Sequence, residues 1–388
     1  MHLGRFHATI YDLALHFKKA DLATKLEQCA AALDQYAQTR AQPQLDAFRS
    51  AFERLLASAE VTNADLRQPY AKQVIDELAV SDALDPMITD SLRKIVSDRS
   101  FDHAGIASDF RALATQLSKK ITQISIIDKA FSELEVEFER VDDEAAEVGI
   151  LLPREVIGES LSALTSEFNK LGTLFRAINE LTDAVDYEPK VRTISSSWWQ
   201  LFLEMDSAQI VVWVVAIERI VGLFKSNLEI KDLQQRLASE KMPKEITDLI
   251  ETEINKRVSS SLKTLASDLR QSYSKGQEES RLNEIETQLR QGLYHLAMRI
   301  NQGSQVEINV AVPKEPEEPA ATPGGEAPSQ EVQETIAAKC ARIAELADLQ
   351  MRGRSASAET LKIDGESQAL LKYFADPNEQ ATDTDKGA

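Results

Sequence analysis

Cysteine is nearly absent from this chain. Cys29 and Cys340 are the only two in 388 residues, far apart and without a Cys-x-x-Cys partner. That argues against a disulfide framework or a thiolate metal site and leaves two reduced, inert thiols. Glycine and proline are also scarce, at 14 and 12, while Ala, Leu, Glu, Gln and Lys are abundant. These side chains lose little rotamer freedom in a helix, so the composition favours helix. Basic residues are outnumbered 44 to 63, for a net charge of −19, and no Lys/Arg-rich run occurs. This speaks against general nucleic-acid binding, which needs cations to displace counterions, and against an anionic membrane surface. The simplest use of the charge is solubility.

Signature motifs are missing as well. There is no Gly-rich phosphate loop, Gly-x-Ser-x-Gly elbow or His-Glu-x-x-His. The expectation is therefore no catalytic residue, no cofactor and no metal. Nor is there a long uninterrupted apolar run. Trp198 to Phe224, WWQLFLEMDSAQIVVWVVAIERIVGLF, comes nearest and holds all three tryptophans. Glu204, Asp206, Glu218 and Arg219 leave only Ser207 to Ile217 uncharged. A bilayer span needs ~20 apolar residues, so this segment reads as the centre of a soluble core. The N-terminus is amphipathic without an apolar signal region, which makes a cytoplasmic, bacterial-type protein the default.

What is present is mostly helical periodicity. From the start to about Thr39, Phe6, Ile10, Leu13, Phe17, Leu22, Leu26, Cys29, Leu33 and Tyr36 recur at helical spacing. Pro43 heads a further helix with Leu45, Phe48, Phe52 and Leu55 on its apolar face. Shorter helices follow around Leu66–Leu78 and Pro86–Ile95, then a long one from Phe101 through Ile127. Short polar connections imply antiparallel packing, so residues 1–130 read as a helical bundle.

The second part, 131–312, reads as an α+β core with long helices. Glu133 to Glu139 alternates strictly and suits a strand with one wet face, although Phe131, Leu134, Phe138 and Val141 also fit a helix. Val148 to Leu152 before Pro153 reads as a buried strand. Leu161 to Leu181 shows coiled-coil-like spacing but is short, and is expected to cover a sheet. Lys190 to Asp206 reads as a hairpin. Asp206 and Gln209 form a capping box for a helix that buries Ile210, Trp213, Val214, Ile217, Val221 and Phe224. Long helices through Ile246–Leu269 and Leu282–Ile300 lead to a strand at Val306–Val312. The fold class is therefore α+β, predominantly helical: an N-terminal bundle followed by a small, mainly antiparallel sheet covered by long helices.

Residues 313–330, PKEPEEPAATPGGEAPSQ, are too rich in Pro, Glu and Gly to bury a core and read as a linker. Residues 331–388 then hold one amphipathic helix, Val332–Met351, a short apolar cluster of Ala369, Leu370, Leu371, Tyr373 and Phe374, and a polar end. Limited proteolysis is expected to cut first within Pro313–Gln330 and to release a stable fragment ending at about residue 312. First cuts within Leu161–Leu181 would show these boundaries to be wrong.

The succession Glu147 to Arg154, a helix, Ile194-Ser195-Ser196-Ser197 with Leu201-Phe202-Leu203, then a hydrophobic helix resembles a loose group of bacterial proteins. They share this strand–helix–hairpin–helix order and a late acidic, Pro-rich linker. The resemblance covers roughly residues 145–315 and rests on hydrophobic patterns. The group has no established activity, so the resemblance supports the architecture and carries over no functional residue.

Each polar constellation has a plainer explanation. His2, His7 and His16 are spaced five and nine apart and do not stack on one helix face, and His103 and His295 stand alone. Ser195 to Ser197 read as turn serines. The carboxylates of Glu133–Glu147 lack the pattern of a cation loop. Glu218 and Arg219 point to different sides of their helix, and each is expected to find a separate partner or the helix edge.

The leading function class is thus a non-enzymatic interaction or scaffold protein, a subunit of a bacterial multi-protein system, with defence or stress the suggested setting. Its partner would be another protein or a second copy, met through Ile336, Ile343 and Leu346 on the C-terminal helix. A membrane-acting effector that inserts Ser207–Phe224 is the second class, and an enzyme with a site assembled from distant residues the third.

Overall fold

The structure, a computed structural model, describes residues 3–99, 101–141, 145–158, 160–183, 190–195, 199–238, 244–313 and 330–363. The chain divides into two compact units, Met1–Arg140 and Val141–Ala388.

The first unit contains α1 (Leu3–Ala20), α2 (Leu22–Thr39), α3 (Gln42–Ala59), α4 (Pro69–Glu77), α5 (Met87–Asp98) and α6 (His103–Glu133). The periodic stretch before Thr39 is two helices, because Asp21 takes a left-handed conformation with φ 46°. A short polar side chain tolerates that region better than most. Pro43 lies in the first turn of α3, where its missing N–H costs nothing. Ile10, Leu13, Phe17, Leu26, Leu33, Leu55, Leu92 and Phe110 form the core. Phe52 stacks on Phe110 at 6.1 Å.

The alternating segment Glu133–Glu139 is not a strand. Helix α6 runs to Glu133, Glu135 turns the chain with φ 55°, and residues 134–141 continue as irregular backbone. This stretch lies along α1. The Phe138 ring rests 4.4 Å from that of His7, and His7 Nδ1–H donates to the Val136 carbonyl at 2.7 Å. Arg5 pairs with Glu139 at 3.2 Å and Arg140 with Asp12 at 3.0 Å. Gly4 makes room, since a Cβ there would sit 2.8 Å from the Glu137 carbonyl. Period-two alternation marks a half-wet segment, but a strand also needs a neighbour with unpaired backbone. Here polar side chains of α1 supply partners instead. The first unit ends at Arg140.

The second unit contains β1 (Ala146–Leu152), the single turn α7 (Arg154–Ile157), α8 (Leu161–Leu181), β2 (Lys190–Ser195), β3 (Trp199–Met205), α9 (Ser207–Ala238), α10 (Lys244–Tyr273), α11 (Glu279–Asn301), β4 (Gln305–Val310) and α12 (Gln330–Thr360). The strands form one antiparallel sheet in the order β2-β3-β1-β4. Val148 lies opposite Leu203 and Ile308, and Ile150 opposite Leu201 and Val306. These side chains line the core face. The expected α+β, predominantly helical class is what the chain adopts.

Helix α9 fills the core. Asp206 Oδ1 accepts from the Ala208 N–H at 2.7 Å while Gln209 Oε1 accepts from the Asp206 N–H at 3.0 Å, which completes the capping box. Ile210, Trp213, Val214, Ile217, Val221 and Phe224 are all buried. The Trp213 ring lies 4.7 Å from that of Phe175 on α8. Trp199 is half-buried against the same core, with its indole N–H donating to the Gly158 carbonyl at 3.3 Å. Trp198 lies outside the described residues.

The C-terminal helix is longer than the periodicity indicated, reaching Thr360 rather than Met351. It packs on β4 and α9, so Leu346, Leu349, Ala356 and Ile363 belong to the second unit's core. Residues 314–329 of the Pro-rich segment and the apolar cluster Ala369–Phe374 lie outside the described residues.

Candidate functional site

The stripe assigned to partner binding is divided by the fold. Leu346 is buried in the core of its own unit, Ile343 is half-buried, and the side chain of Ile336 lies outside the described residues. Residues Ala337–Arg342, including Cys340, are exposed. In this state Leu346 is engaged within its own chain and is not presented to a partner.

The contact that holds α12 is built on an open strand edge. β4 is the last strand of the sheet, and Val306 and Ile308 turn their N–H groups, and Val310 its C=O, away from β1. Side chains of α12 meet them. The Val306 N–H donates to Thr360 Oγ1 at 3.3 Å, and the Ile308 N–H donates to Ser357 Oγ at 2.9 Å. Gln350 Nε2 donates to the Val310 carbonyl at 2.7 Å. The Ser357 hydroxyl itself donates to the Gly353 carbonyl, and that of Thr360 to the Ser357 carbonyl. Both hydroxyls thus serve as donor and acceptor. Gly353 permits the approach, because a Cβ there would lie 2.8 Å from Ile308 Cγ2.

Along its other side α12 runs parallel to α9. Arg342 bonds Ser207 at 2.6 Å, Arg352 makes two bonds to Glu218 at 2.9 and 2.6 Å, and Glu359 pairs with Lys225 at 2.9 Å. Burial pushes the Glu359 carboxyl up, but the bonds from Lys362 and Lys225 outweigh it and hold the group below its ordinary value. Glu218 and Arg219 do separate as expected: Glu218 is spent on Arg352, and Arg219 is exposed.

A second cluster lies between α8 and α11. Glu167, 2 % exposed, accepts from His295 Nε2–H at 2.7 Å and from Arg299 Nε and Nη2 at 2.9 and 2.6 Å. Arg299 also donates to Gln302 at 2.7 Å. Burial raises the Glu167 carboxyl, yet the two hydrogen-bond donors and their charges prevail and hold it at about 2. The carboxylate is ionised at neutral pH and occupied by three N–H bonds. That is the bonding of a structural anchor.

On the sheet face away from the core, Asn309 Nδ2 donates to Glu307 at 2.8 Å and to Glu147 at 3.4 Å. Gly149 sits opposite Phe202, whose ring occupies the space a Cβ would take. Among the described residues no group of three or more His, Cys, Asp or Glu side chains could hold a metal ion. His16 is buried, which lowers its basicity. Burial also raises the Asp12 carboxyl, which Arg140 partly offsets. Burial pushes the Cys29 thiol up to about 11, an inert thiol. Ser196 and Ser197 lie outside the described residues.

The α12 contacts on β4 and the Glu167 cluster left only partial traces in the sequence. Gln350, Gly353, Ser357 and Thr360 recur at three- and four-residue spacing, a small and polar stripe on one helix face. Glu167 interrupts the apolar face of α8, and His295 and Arg299 are four apart on α11. Those spacings were readable, but their partners, about 40 to 130 residues away, were not.

No family model, curated protein or solved structure matches this chain.

Proposed function

We propose that this chain is a non-enzymatic interaction protein, a cytoplasmic helical scaffold subunit whose exchangeable element is α12. The observation that carries this reading is the way α12 is fastened. Beyond Leu346, Leu349, Ala356 and Ile363 it is held by hydroxyl-to-backbone bonds and by ion pairs that are part exposed. Such bonds contribute ~0.5–1.5 kcal/mol each, and exposed ion pairs ~0–1 kcal/mol. A helix held this way on a long Pro-rich tether is suited to trade one partner for another. The Glu167 cluster supports the same reading, since its hydrogen-bonding capacity is taken up internally.

A membrane reading has one observation in its favour: Ser207–Asn227 is long and apolar enough to cross a bilayer. Against it, Trp213, Val214, Ile217 and Phe224 are the core of the second unit, and withdrawing them would dismantle it. Purification of the full chain from its native cells, read by mass and by identity of what accompanies it, tests the proposal. A stoichiometric protein partner or a self-assembly is expected. A lone monomer that released dye from liposomes would replace the scaffold with the membrane effector.

A further inference from the structure

The two edges of the sheet are protected in different ways. The β2 edge carries Lys190 and Arg192 and an irregularity in register between Val191 and Thr193. Basic side chains and bulges are how exposed edges avoid pairing with other strands. The β4 edge, Gln305-Val306-Glu307-Ile308-Asn309-Val310, contains no Lys, Arg or Pro and pairs with β1 in unbroken register. Its outward N–H and C=O groups are met by Gln350, Ser357 and Thr360 of α12 instead. Protection of this edge resides in α12 and not in the strand's own sequence.

The strand beneath that helix is self-complementary. Turned about a two-fold axis through Ile308, β4 meets a second β4 antiparallel. Ile308 then faces its own counterpart, Val306 faces Val310, and Glu307 faces Asn309. The three core-side residues are apolar and β-branched, a favourable cross-strand set, and the opposite face pairs carboxylate with amide rather than like charges. Asn309 already donates to Glu307 within one strand at 2.8 Å. In this register the outward backbone groups of Val306, Ile308 and Val310 find partners on the second copy, replacing the bonds α12 supplies.

The tether is long enough. Gln350 lies at Val310, so the start of α12 at Gln330 is ~30 Å further along the helix at 1.5 Å per residue. The nineteen residues between Val310 and Gln330 can reach ~60 Å when extended. Helix α12 can therefore leave β4 without being cut away.

Resting on the interaction reading above, we infer that α12 is an autoinhibitory clasp over a latent homodimer interface, and that its release lets two copies join antiparallel through β4. Two full-length variants test this. Gly353→Leu places a side chain against Ile308, and Arg352→Glu with Glu359→Lys opposes both ion pairs to α9. Sedimentation gives the mass, and hydrogen exchange reads α12 and the Val306 and Ile308 amides. Each variant is expected to lose protection in α12, to double in mass relative to the parent, and to keep the two β4 amides protected. An unchanged mass with α12 exchanging freely overturns the inference. So does a doubled mass with unprotected β4 amides, which places the contact elsewhere, and so does an α12 that stays protected in both variants. If the released variants remained single but still captured a different protein from native cells, the homodimer would fall and the interaction function would stand.

Discussion

Trp213→Ala is expected to destabilise the second unit by ~3–5 kcal/mol, the range for removing a fully buried large aromatic. Trp213 is 0 % exposed and packs on Phe175 at the centre of a core shared by α8, α9, α10, α11 and the sheet. Its indole N–H has no hydrogen-bond partner among the described residues. Burying such a donor unmet costs ~1–3 kcal/mol. Trp213→Phe keeps the six-membered ring, removes that donor and leaves a smaller cavity, so it should cost less than the alanine variant. Urea unfolding followed by far-ultraviolet circular dichroism reads both, with the second unit's transition treated separately because a two-unit chain need not unfold in one step. An alanine variant that lost less than ~1 kcal/mol would mean Trp213 is not the core residue its burial implies.

Glu167→Ala should cost a similar ~3–5 kcal/mol, for an electrostatic reason. It removes one carboxylate and leaves Arg299 and His295 with donors directed at an empty site in a buried region. Replacing all three residues with apolar side chains of similar volume should be far milder, because no uncompensated charge then remains. The pH dependence separates this role from simple packing. The folded carboxyl is held at about 2, below its unfolded value of ~4.3. The stabilisation is therefore complete above that unfolded value and is lost as pH falls from ~4.3 towards ~2. At ~1.4 kcal/mol per unit it amounts to ~3 kcal/mol. Acid titration of second-unit stability should show this loss in the parent and a flatter curve in the Glu167→Ala chain. Parallel curves would remove Glu167 from its anchoring role.

Much of the second unit follows from local pattern. Strand β1 is apolar at nearly every position because both its faces are buried. The capping box at Asp206 and Gln209 starts α9, and spacings of three and four place Trp213, Ile217 and Phe224 inward. Each of these features depends on residues within one or two turns of each other, so the sequence displays them directly. Asp21 shows the limit even for helices. The apolar residues run from Phe6 to Tyr36 at helical spacing with one five-residue step, Phe17 to Leu22, and there a left-handed residue divides the stretch into α1 and α2.

The sequence by itself determined that this is an α+β, predominantly helical chain, roughly where most of its helices lie, and that the apolar helix holding Trp213 is core. Periodicity, caps and composition act over a few residues and survive without a neighbour. Tertiary structure alone decided which distant polar groups meet. It turned Glu133–Glu139 away from strand pairing and onto α1, since a strand exists only where another backbone offers it hydrogen bonds. It also brought Glu167 to His295 and Arg299, and laid Gln350, Ser357 and Thr360 along β4. Those contacts span about 40 to 130 residues of chain, and the desolvation that makes them strong or costly arises only when distant elements close around them.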